Sequence, residues 1–207
     1  MPAVEAQRCP RVARTTTPYG VVFLVSWLVV WSLVMVFEGT SGAAERYVIS
    51  PEQSQFQFRA YSVFAKPLGT FRRFSGDILT DADNVGASQV RFVIEADSID
   101  TDNAKRDKHL RNEDFLFAER YPAITFTSTA ITQDAAVYQV QGDLQIRGVT
   151  RRTTIPVTVE TRQDSLVVQG EIQLNRKDFG ITYNAFFNPV KERVDVMFTI
   201  VGVRPDS

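Results

Sequence analysis

Cysteine and histidine are nearly absent from this chain of 207 residues, which contains one of each. The lone Cys9 excludes an internal disulfide and a thiolate metal cluster, and it precedes the long apolar segment that a lipoprotein cysteine would follow. The lone His109 excludes zinc sites that need two or more imidazoles. Glycine-rich phosphate loops are missing as well. The sequence therefore predicts no metal site and no cofactor.

A charge excess is also missing, since 23 basic residues stand against 24 acidic ones and the formal net charge is -1. Proteins that bind nucleic acid or anionic membrane surfaces through charge carry a clear basic excess. The composition therefore predicts no nucleic-acid partner. Hydrophobic residues make up 44% of the chain, which is enough for the core of one main domain.

One long apolar run does occur, over residues 21–37 (VVFLVSWLVVWSLVMVF), and arginines precede it at positions 8, 11 and 14. A positively charged region followed by an apolar one is typical of a secretory signal peptide. Gly42 and Ala44 are small residues at the two positions that signal peptidase reads, which predicts cleavage between Ala44 and Glu45. Residues 1–44 are then the signal, and residues 45–207 form a periplasmic or secreted domain.

The alternative is an uncleaved anchor in the inner membrane, because residues 21–37 fall at the short end of the ~17 to 25 residues that span a bilayer. Positive charge before the run keeps that side of the chain in the cytoplasm. Both interpretations therefore place residues 45–207 on the far side of the membrane.

From Glu45 onward, apolar and polar residues alternate with a period of two, as in residues 55–60 (QFQFRA). This spacing is typical of β-strands with one buried face. With residues 71–79, the alternation predicts about eight strands, and it returns in residues 90–96, 124–128, 138–146, 153–159, 166–174 and 194–200.

Short polar turns separate these strands, for example residues 81–86 (DADNVG) and residues 163–165. Short connections favour antiparallel neighbours in an up-and-down order. Closed into a barrel, eight such strands have no exposed edges and enclose an interior that side chains fill or that holds a small ligand. A two-sheet sandwich shows the same alternation and stays open as an alternative. The predicted fold class is all-β.

Residues 102–112 (DNAKRDKHLRN) interrupt the strand pattern with a dense run of charge and no β-branched residue. Asp102 or Asn103 can cap a first helical turn, so a short helix is predicted here. The aromatic stretch that follows, residues 115–122, is expected to pack over one end of the barrel.

Alternate residues of a strand point to opposite faces of the sheet, a rule called strand parity below. In the predicted strands it places the apolar side chains on one face. In most β proteins such a set is an ordinary filled core, and the fifteen phenylalanines of this chain shift the balance only partly towards an interior with room for a ligand; both interpretations stay open at this point. The residues predicted to bind a ligand in this interior are Phe56, Phe58, Phe92, Ile94, Phe126, Leu144, Ile146 and Phe198.

Two sets of polar residues are candidate sites. In the first, His109 has Asp107 and Asp114 nearby in sequence, and a carboxylate can orient an imidazole for acid–base catalysis. No nucleophile is fixed beside them, so a solvated helix face is the favoured interpretation.

The second polar group could bind a phosphate head group, because guanidinium groups pair with phosphate through two parallel hydrogen bonds. The favoured interpretation is structural, with Arg–Asp pairs that tie the helix and the DFG turn at residues 178–180 to the barrel. The group comprises Arg106, Asp107, Arg147, Arg176 and Asp178.

An ordered set of short motifs runs through most of the chain. It begins with SIDT at 98–101, Asn103, RD at 106–107, HL at 109–110, DF at 114–115, YP at 121–122 and TF at 125–126. It continues with GDL at 142–144, IRGVT at 146–150, Arg176 and DFG at 178–180. In these motifs the chain resembles the YceI-like polyisoprenoid-binding family of bacterial, often periplasmic, proteins, over nearly all of residues 46–203.

The resemblance implies a lipocalin-like antiparallel barrel of about eight strands with a short helix at one end. It also implies that the lumen binds a long isoprenoid amphiphile, such as a polyprenyl phosphate or a quinone-type lipid, and it brings no catalytic residues. The chain departs from many members after its first strand, where Ala60-Tyr61-Ser62 stands in place of a histidine, and at Gln145 in place of a threonine. These departures concern the lipid head group rather than the fold.

The favoured function is therefore the periplasmic binding, carriage or sequestration of an isoprenoid lipid by a protein that is not an enzyme. Membrane contact for lipid exchange is expected, and a second copy of the chain is a candidate partner. The alternative is a hydrolase or isomerase for the same lipid class, with His109 and Asp107 as acid–base residues. Position separates the two, because a catalytic pair must face the lumen.

Overall fold

The computed structural model describes residues 44–184 and 189–205, and the predicted signal or anchor lies outside them except for Ala44. Every strand pairing in this part of the chain is antiparallel. The strands are β1 (Glu45–Ile49), β2 (Gln55–Ser62), β3 (Leu68–Phe71), β4 (Phe74–Thr80), β5 (Gln89–Glu95), β6 (Ile99–Asp100), β7 (Ala123–Asp134), β8 (Val137–Ile146), β9 (Val149–Thr161), β10 (Ser165–Asn175) and β11 (Val190–Val203).

Eight strands form a closed ring in the order β1, β4, β5, β7, β8, β9, β10 and β11, and β11 pairs back onto β1. The closing pairs are Val48 with Val203 and Ile49 with Gly202. Each strand of the ring thus has a neighbour on both sides, which a two-sheet sandwich does not provide. The prediction of an antiparallel barrel of about eight strands is confirmed.

The up-and-down order holds from β7 to β11 but not at the start of the chain. β2 pairs with β11 from Val190 to Thr199 and extends the sheet through β3 and β6. Because β11 is 14 residues long, it pairs first with β2 and then, at its end, with β1. The ring is therefore closed by β1, which the alternation did not identify as a strand of its own.

The single strand predicted over residues 71–79 is wrong, because β3 ends at Phe71 and β4 begins at Phe74. Both phenylalanines are buried in one core cluster, and residues an odd number apart cannot face the same side of a continuous strand. The break lies at Arg72 and Arg73. Their exposed side chains pair with three carboxylates, which lie on β5, just after β5 and on β6.

The predicted short helix is present as α1 (Ala104–Arg111). Of the two predicted caps, Asn103 performs the role, since its Oδ1 accepts a hydrogen bond of 3.0 Å from the backbone N–H of Arg106. Asp102 instead adopts a positive φ of 57° just before the helix. Within the described ranges, no helix is long and apolar enough to span a bilayer.

Candidate ligand-binding cavity

The barrel encloses a cavity of about 550 Å³. Inward-facing side chains of all eight ring strands and of β2 form its wall, as the two-residue period of a strand requires. The cavity is lined by every residue of the predicted set: Phe56, Phe58, Phe92, Ile94, Phe126, Leu144, Ile146 and Phe198. Their contact with a ligand stays a prediction.

The predicted residues divide into packed and cavity-facing side chains. Ile94 and Phe126 are only 2% and 6% exposed, so they support the wall from within the packed core. The half-buried ones are Phe56, Phe92, Ile146 and Phe198. Strand parity turns these four side chains inward, and all of them line the cavity.

One wall of the cavity is aromatic. The ring of Phe56 stacks on Phe92 with centroids 5.4 Å apart and on Phe198 at 5.9 Å, and it meets Phe71 edge-on at 6.1 Å. Phe74 contacts Phe92 at 5.7 Å. Such pairs add about 0.5–1.5 kcal/mol beyond area burial. Phe71 and Phe74 were missed as core positions because the strand break that turns both inward was not predicted.

Two strand glycines provide space for these rings. A Cβ added at Gly142 would lie 2.5 Å from Cζ of Phe126 and 2.5 Å from the carbonyl oxygen of Thr127, and one at Gly170 would lie 2.5 Å from Cζ of Phe198. The phenyl rings therefore occupy the volume that a side chain would take. A glycine inside a strand often marks such a close approach, but the strand that approaches cannot be read from the local sequence.

We expect Gly170→Ala to lower the free energy of unfolding by about 1–3 kcal/mol, the usual range for overpacking. The new Cβ would overlap the ring of Phe198 and lie 3.0 Å from Cγ1 of Val157. All of these are side-chain atoms that can be removed, so the double variant with Phe198→Ala should recover part of the loss. Urea unfolding of the two single variants and the double variant measures this coupling.

Gly142→Ala provides the contrast, because the main-chain oxygen of Thr127 blocks its Cβ as well as the ring of Phe126. Phe126→Ala should therefore rescue it less than Phe198→Ala rescues the first variant. Exposed Gly86 is the control, since its Cβ would meet only a side-chain oxygen at 3.3 Å. Equal losses at all three glycines would show that the ring contacts are not the cause.

Polar side chains line the cavity at the end where the β4–β5, β7–β8 and β9–β10 turns lie. These rim residues are Glu45, Thr80, Asp81, Ser88, Gln133 and Thr161. The hydroxyl of Tyr47 donates to Glu45 at 2.6 Å and Arg204 donates at 2.8 Å, and these bonds hold the pKa of the Glu45 carboxyl below its ordinary value. Among the described lining residues, this rim contributes carboxylates and no cation.

The opposite end of the cavity is closed by α1, by the segment after it and by the segment after β10. The apolar residues that line this end include Leu110, Phe115, Leu116, Phe179 and Ile181, so the aromatic stretch covers one end as expected.

One cation also lines the covered end. Arg176 is 6% exposed and donates to the carbonyl oxygens of Ile181 at 2.6 Å, Val190 at 2.9 Å and Lys191 at 3.0 Å. Burial lowers the pKa of its guanidinium from the ordinary value, but an arginine stays charged in proteins. The covered end of the cavity therefore holds a fixed positive charge.

The predicted structural role is confirmed at the DFG turn, where Arg147 donates to the carbonyl oxygen of Gly180, but the predicted Arg–Asp pairs are wrong. Arg106 donates to Oγ1 and to the carbonyl oxygen of Thr101, both at 2.7 Å, and Arg147 donates to the carbonyl oxygens of Glu113 at 2.7 Å and of Gly180. Within the described ranges, neither forms an ion pair. The physical reason is that carbonyls in turns lack strand partners, and the forked guanidinium satisfies several of them at once.

Asp107 and His109 do not line the cavity, and residues two apart on a helix face different directions. Nε2 of His109 lies 3.1 Å from Oδ2 of Asp114, and both side chains are nearly half exposed, which agrees with the predicted solvated face. Asp107 differs from that prediction, since it is buried and accepts a hydrogen bond of 3.0 Å from the N–H of Thr101. No described group of three or more acidic, histidine or cysteine side chains is arranged to hold a metal ion.

Comparison with known proteins places these features in a family. The family model of the YceI-like domain matches residues 47–202. Protein YceI of Escherichia coli O157:H7 is 34% identical over 181 residues, which cover 82% of this chain and 93% of that protein. Protein YceI of Salmonella arizonae is 32% identical with the same coverage.

Solved structures share the fold. The crystal structure of Burkholderia cenocepacia BcnA aligns with a TM-score of 0.70 at 23% identity and covers 74% of this chain and 98% of its own. A polyisoprenoid binding domain from Saccharophagus degradans aligns with a TM-score of 0.62 at 17% identity and covers 77% and 98%. The family-model match over residues 47–202 and the relatives at 32–34% identity show that the chain belongs to the YceI-like domain family.

Proposed function

We propose that the barrel binds a polyisoprenoid-type amphiphile, a polyprenyl phosphate or an isoprenoid quinone, and that the protein carries or sequesters this lipid. The observation that carries the proposal is the apolar cavity of about 550 Å³ inside the closed ring. This volume lies within the ~300–1,000 Å³ of typical ligand pockets. The polyisoprenoid-binding description of the Saccharophagus degradans domain supports the class of ligand.

The lining of the cavity suits a hydrocarbon occupant. Between the polar rim and Arg176 the wall consists mainly of carbon side chains, and a hydrocarbon chain in the lumen makes dispersion contacts with them.

The bilayer competes with the protein for such a lipid, and this competition favours reversible carriage over permanent storage. Burying each methylene from water contributes about 0.8 kcal/mol, but an isoprenoid normally resides in a bilayer that is as apolar as the lumen. Transfer from membrane to protein is then nearly balanced. We therefore propose that the protein exchanges lipid at a membrane surface.

Mass spectrometry of the purified protein tests the proposal. Protein expressed from the full sequence and purified under mild conditions is expected to contain one isoprenoid lipid in near-stoichiometric amount, visible in its organic extract. An extract without isoprenoid, from protein whose fold is intact by circular dichroism, would contradict the proposal.

A binding role rather than an enzymatic one gives a prediction for α1. We expect His109→Ala to leave lipid occupancy nearly unchanged, because the imidazole does not line the cavity and contacts Asp114 and the outer side of Phe115. Asp114→Ala, which removes the partner, is the matched variant and should behave alike. Loss of turnover of a prenyl substrate in His109→Ala, with folding unchanged, would instead favour the hydrolase or isomerase alternative.

The site of action is the second part of the proposal, and it rests on the sequence before Glu45. We expect N-terminal sequencing of protein from the periplasmic fraction to begin at Glu45, since Gly42 and Ala44 precede it at the positions that signal peptidase reads. A full-length product in the inner-membrane fraction would support the anchor formed by residues 21–37. A product in the cytoplasmic fraction would contradict both.

A further inference from the structure

The buried charge at the covered end of the cavity has no carboxylate in contact with it within the described ranges. No described carboxylate lies within 4.0 Å of the Arg176 guanidinium. The acidic side chain that acts on it through space is Glu192, which is engaged by Nζ of Lys177 at 2.6 Å and by Asn175 at 3.4 Å. A buried cation with no carboxylate in direct contact is costly, so an anion at Arg176 would be stabilised.

The hydrogen bonds of Arg176 leave part of its donor capacity unused. A guanidinium has five N–H groups. Three of them are directed at the carbonyls of Ile181, Val190 and Lys191, which leaves one on each terminal nitrogen. These three bonds also fix the position of the guanidinium, so little side-chain entropy is lost when a ligand binds.

The two ends of the cavity differ in charge. Glu45 and Asp81 line the polar rim, whereas Arg176 lies at the covered end. The guanidinium attracts an anionic group to the covered end, whereas at the rim the carboxylate of Glu45 is already paired with Arg204 at 2.8 Å. This asymmetry gives an amphiphile a preferred direction in the barrel.

We propose that Arg176 is the head-group site and that the ligand is an anionic prenyl lipid, with a phosphate or diphosphate at Arg176 and its isoprenoid tail along the lumen. The inference rests on the proposed function, because it names the head group of the same lipid. It chooses the polyprenyl phosphate over the neutral quinone, since only the former provides the missing negative charge.

Two ligands that share the same isoprenoid tail and differ in their head group test this assignment. Geranylgeranyl phosphate and geranylgeraniol differ only in the phosphate, and we expect wild-type protein to bind the phosphate at least about tenfold more tightly by isothermal titration calorimetry. In Arg176→Gln this preference should fall to near one while the alcohol still binds. The matched control is Lys108→Gln, which removes an exposed cation of α1 at the same end of the barrel and should keep the preference.

The outcomes separate the two proposals. Equal affinities of wild type for phosphate and alcohol, or a preference that persists in Arg176→Gln, would overturn the head-group assignment and leave lipid binding standing. No binding of either ligand would overturn lipid binding itself. If Arg176→Gln does not fold, nuclear magnetic resonance of the wild type decides: the Arg176 Nε–H signal, protected by its bond to Lys191, should shift with the phosphate and not with the alcohol.

A separate observation concerns the β2–β3 hairpin. Val63 and Phe64 at its tip are 63% and 78% exposed. The turn is formed, since the hydroxyl of Ser62 donates to the carbonyl of Ala65 at 3.1 Å and accepts from the N–H of Ala65 at 3.2 Å. Two large apolar side chains are therefore held out into solvent by an ordered turn, which marks an interaction site.

The surroundings of the hairpin tip fit a membrane surface. Residues 59–68 include Arg59 and Lys66 and no acidic residue, which suits anionic lipid head groups. Ser62 pairs with Val190, whose carbonyl accepts from Arg176, so the tip lies at the Arg176 end of the barrel. We infer that this hairpin inserts into the interface of a phospholipid bilayer and brings that end to the membrane.

An environment-sensitive fluorophore on the tip tests the contact. In a Cys9→Ser background, Phe64→Cys labelled with a nitrobenzoxadiazole dye should shift to the blue and brighten on vesicles of phosphatidylcholine and phosphatidylglycerol. The same dye at Val93→Cys, a position 39% exposed on the outer face of β5, should not respond. No response at position 64, or an equal response on raising protein concentration without vesicles, would overturn the inference, the latter in favour of a second copy.

Discussion

Phe126→Asp is expected to abolish lipid co-purification, because the carboxylate would be buried against hydrocarbon or would admit water into the lumen. Phe126 lines the cavity and is 6% exposed, opposite Phe92 on β5 and Leu144 on β8. Burying an unpaired polar or charged group there costs several kcal/mol of binding or folding. The measurement is lipid occupancy by mass spectrometry together with the thermal midpoint.

Thr127→Asp is the matched control, since Thr127 is the next residue on β7 and is exposed on the opposite face. It should be nearly silent in both measurements. Phe126→Ala distinguishes a ligand-filled lumen from a filled core. If the residue borders a ligand, the variant should bind bulkier lipids than the wild type. If the residue is part of a filled core, the variant should only lose about 3–5 kcal/mol of unfolding free energy. Wild type without lipid, combined with an unstable Phe126→Ala, would refute the carrier function.

Strand parity carried most of the information about the cavity. A period of two fixes which face each side chain takes, and one face of a barrel is necessarily its interior. For this reason Phe92 and Ile94 on β5, or Leu144 and Ile146 on β8, could be assigned to the lumen from the sequence alone. All of them line the cavity in the structure.

Parity failed where the strands are irregular. The register of β7 against β8 shifts between Ser128 and Ala130, so the buried residues Phe126 and Ile131 are an odd number apart. Such a bulge adds one residue and reverses the face of everything beyond it. Its position depends on the partner strand, and no local pattern in the sequence predicts it.

Contacts between distant parts of the chain also could not be predicted from the sequence. The ring closes by pairing Val48 with Val203, and the cation at the covered end is fixed by carbonyls that include Val190. Every residue has a backbone carbonyl, so an arginine that binds carbonyls cannot be matched to a partner of opposite charge in the sequence. The sequence therefore identified Arg176 as a candidate for the head-group site but gave it the wrong partners.

Asp107→Ala should lower the free energy of unfolding by about 3–5 kcal/mol, since the carboxylate accepts two hydrogen bonds at a buried site and charged hydrogen bonds contribute roughly 1.5–3 kcal/mol each. Its partners are the N–H and the hydroxyl of Thr101, which is 4% exposed and in turn accepts from Arg106. Asp107→Asn keeps the accepting oxygen and should cost only about 1 kcal/mol. Urea unfolding of both variants, and of Asp107→Ala in a Thr101→Val background, measures the coupling. Equal losses of stability in Asp107→Ala and Asp107→Asn would contradict this structural role. The acid–base alternative makes a different prediction, because an amide cannot exchange a proton at neutral pH: Asp107→Asn would fold normally and lose turnover of a prenyl substrate.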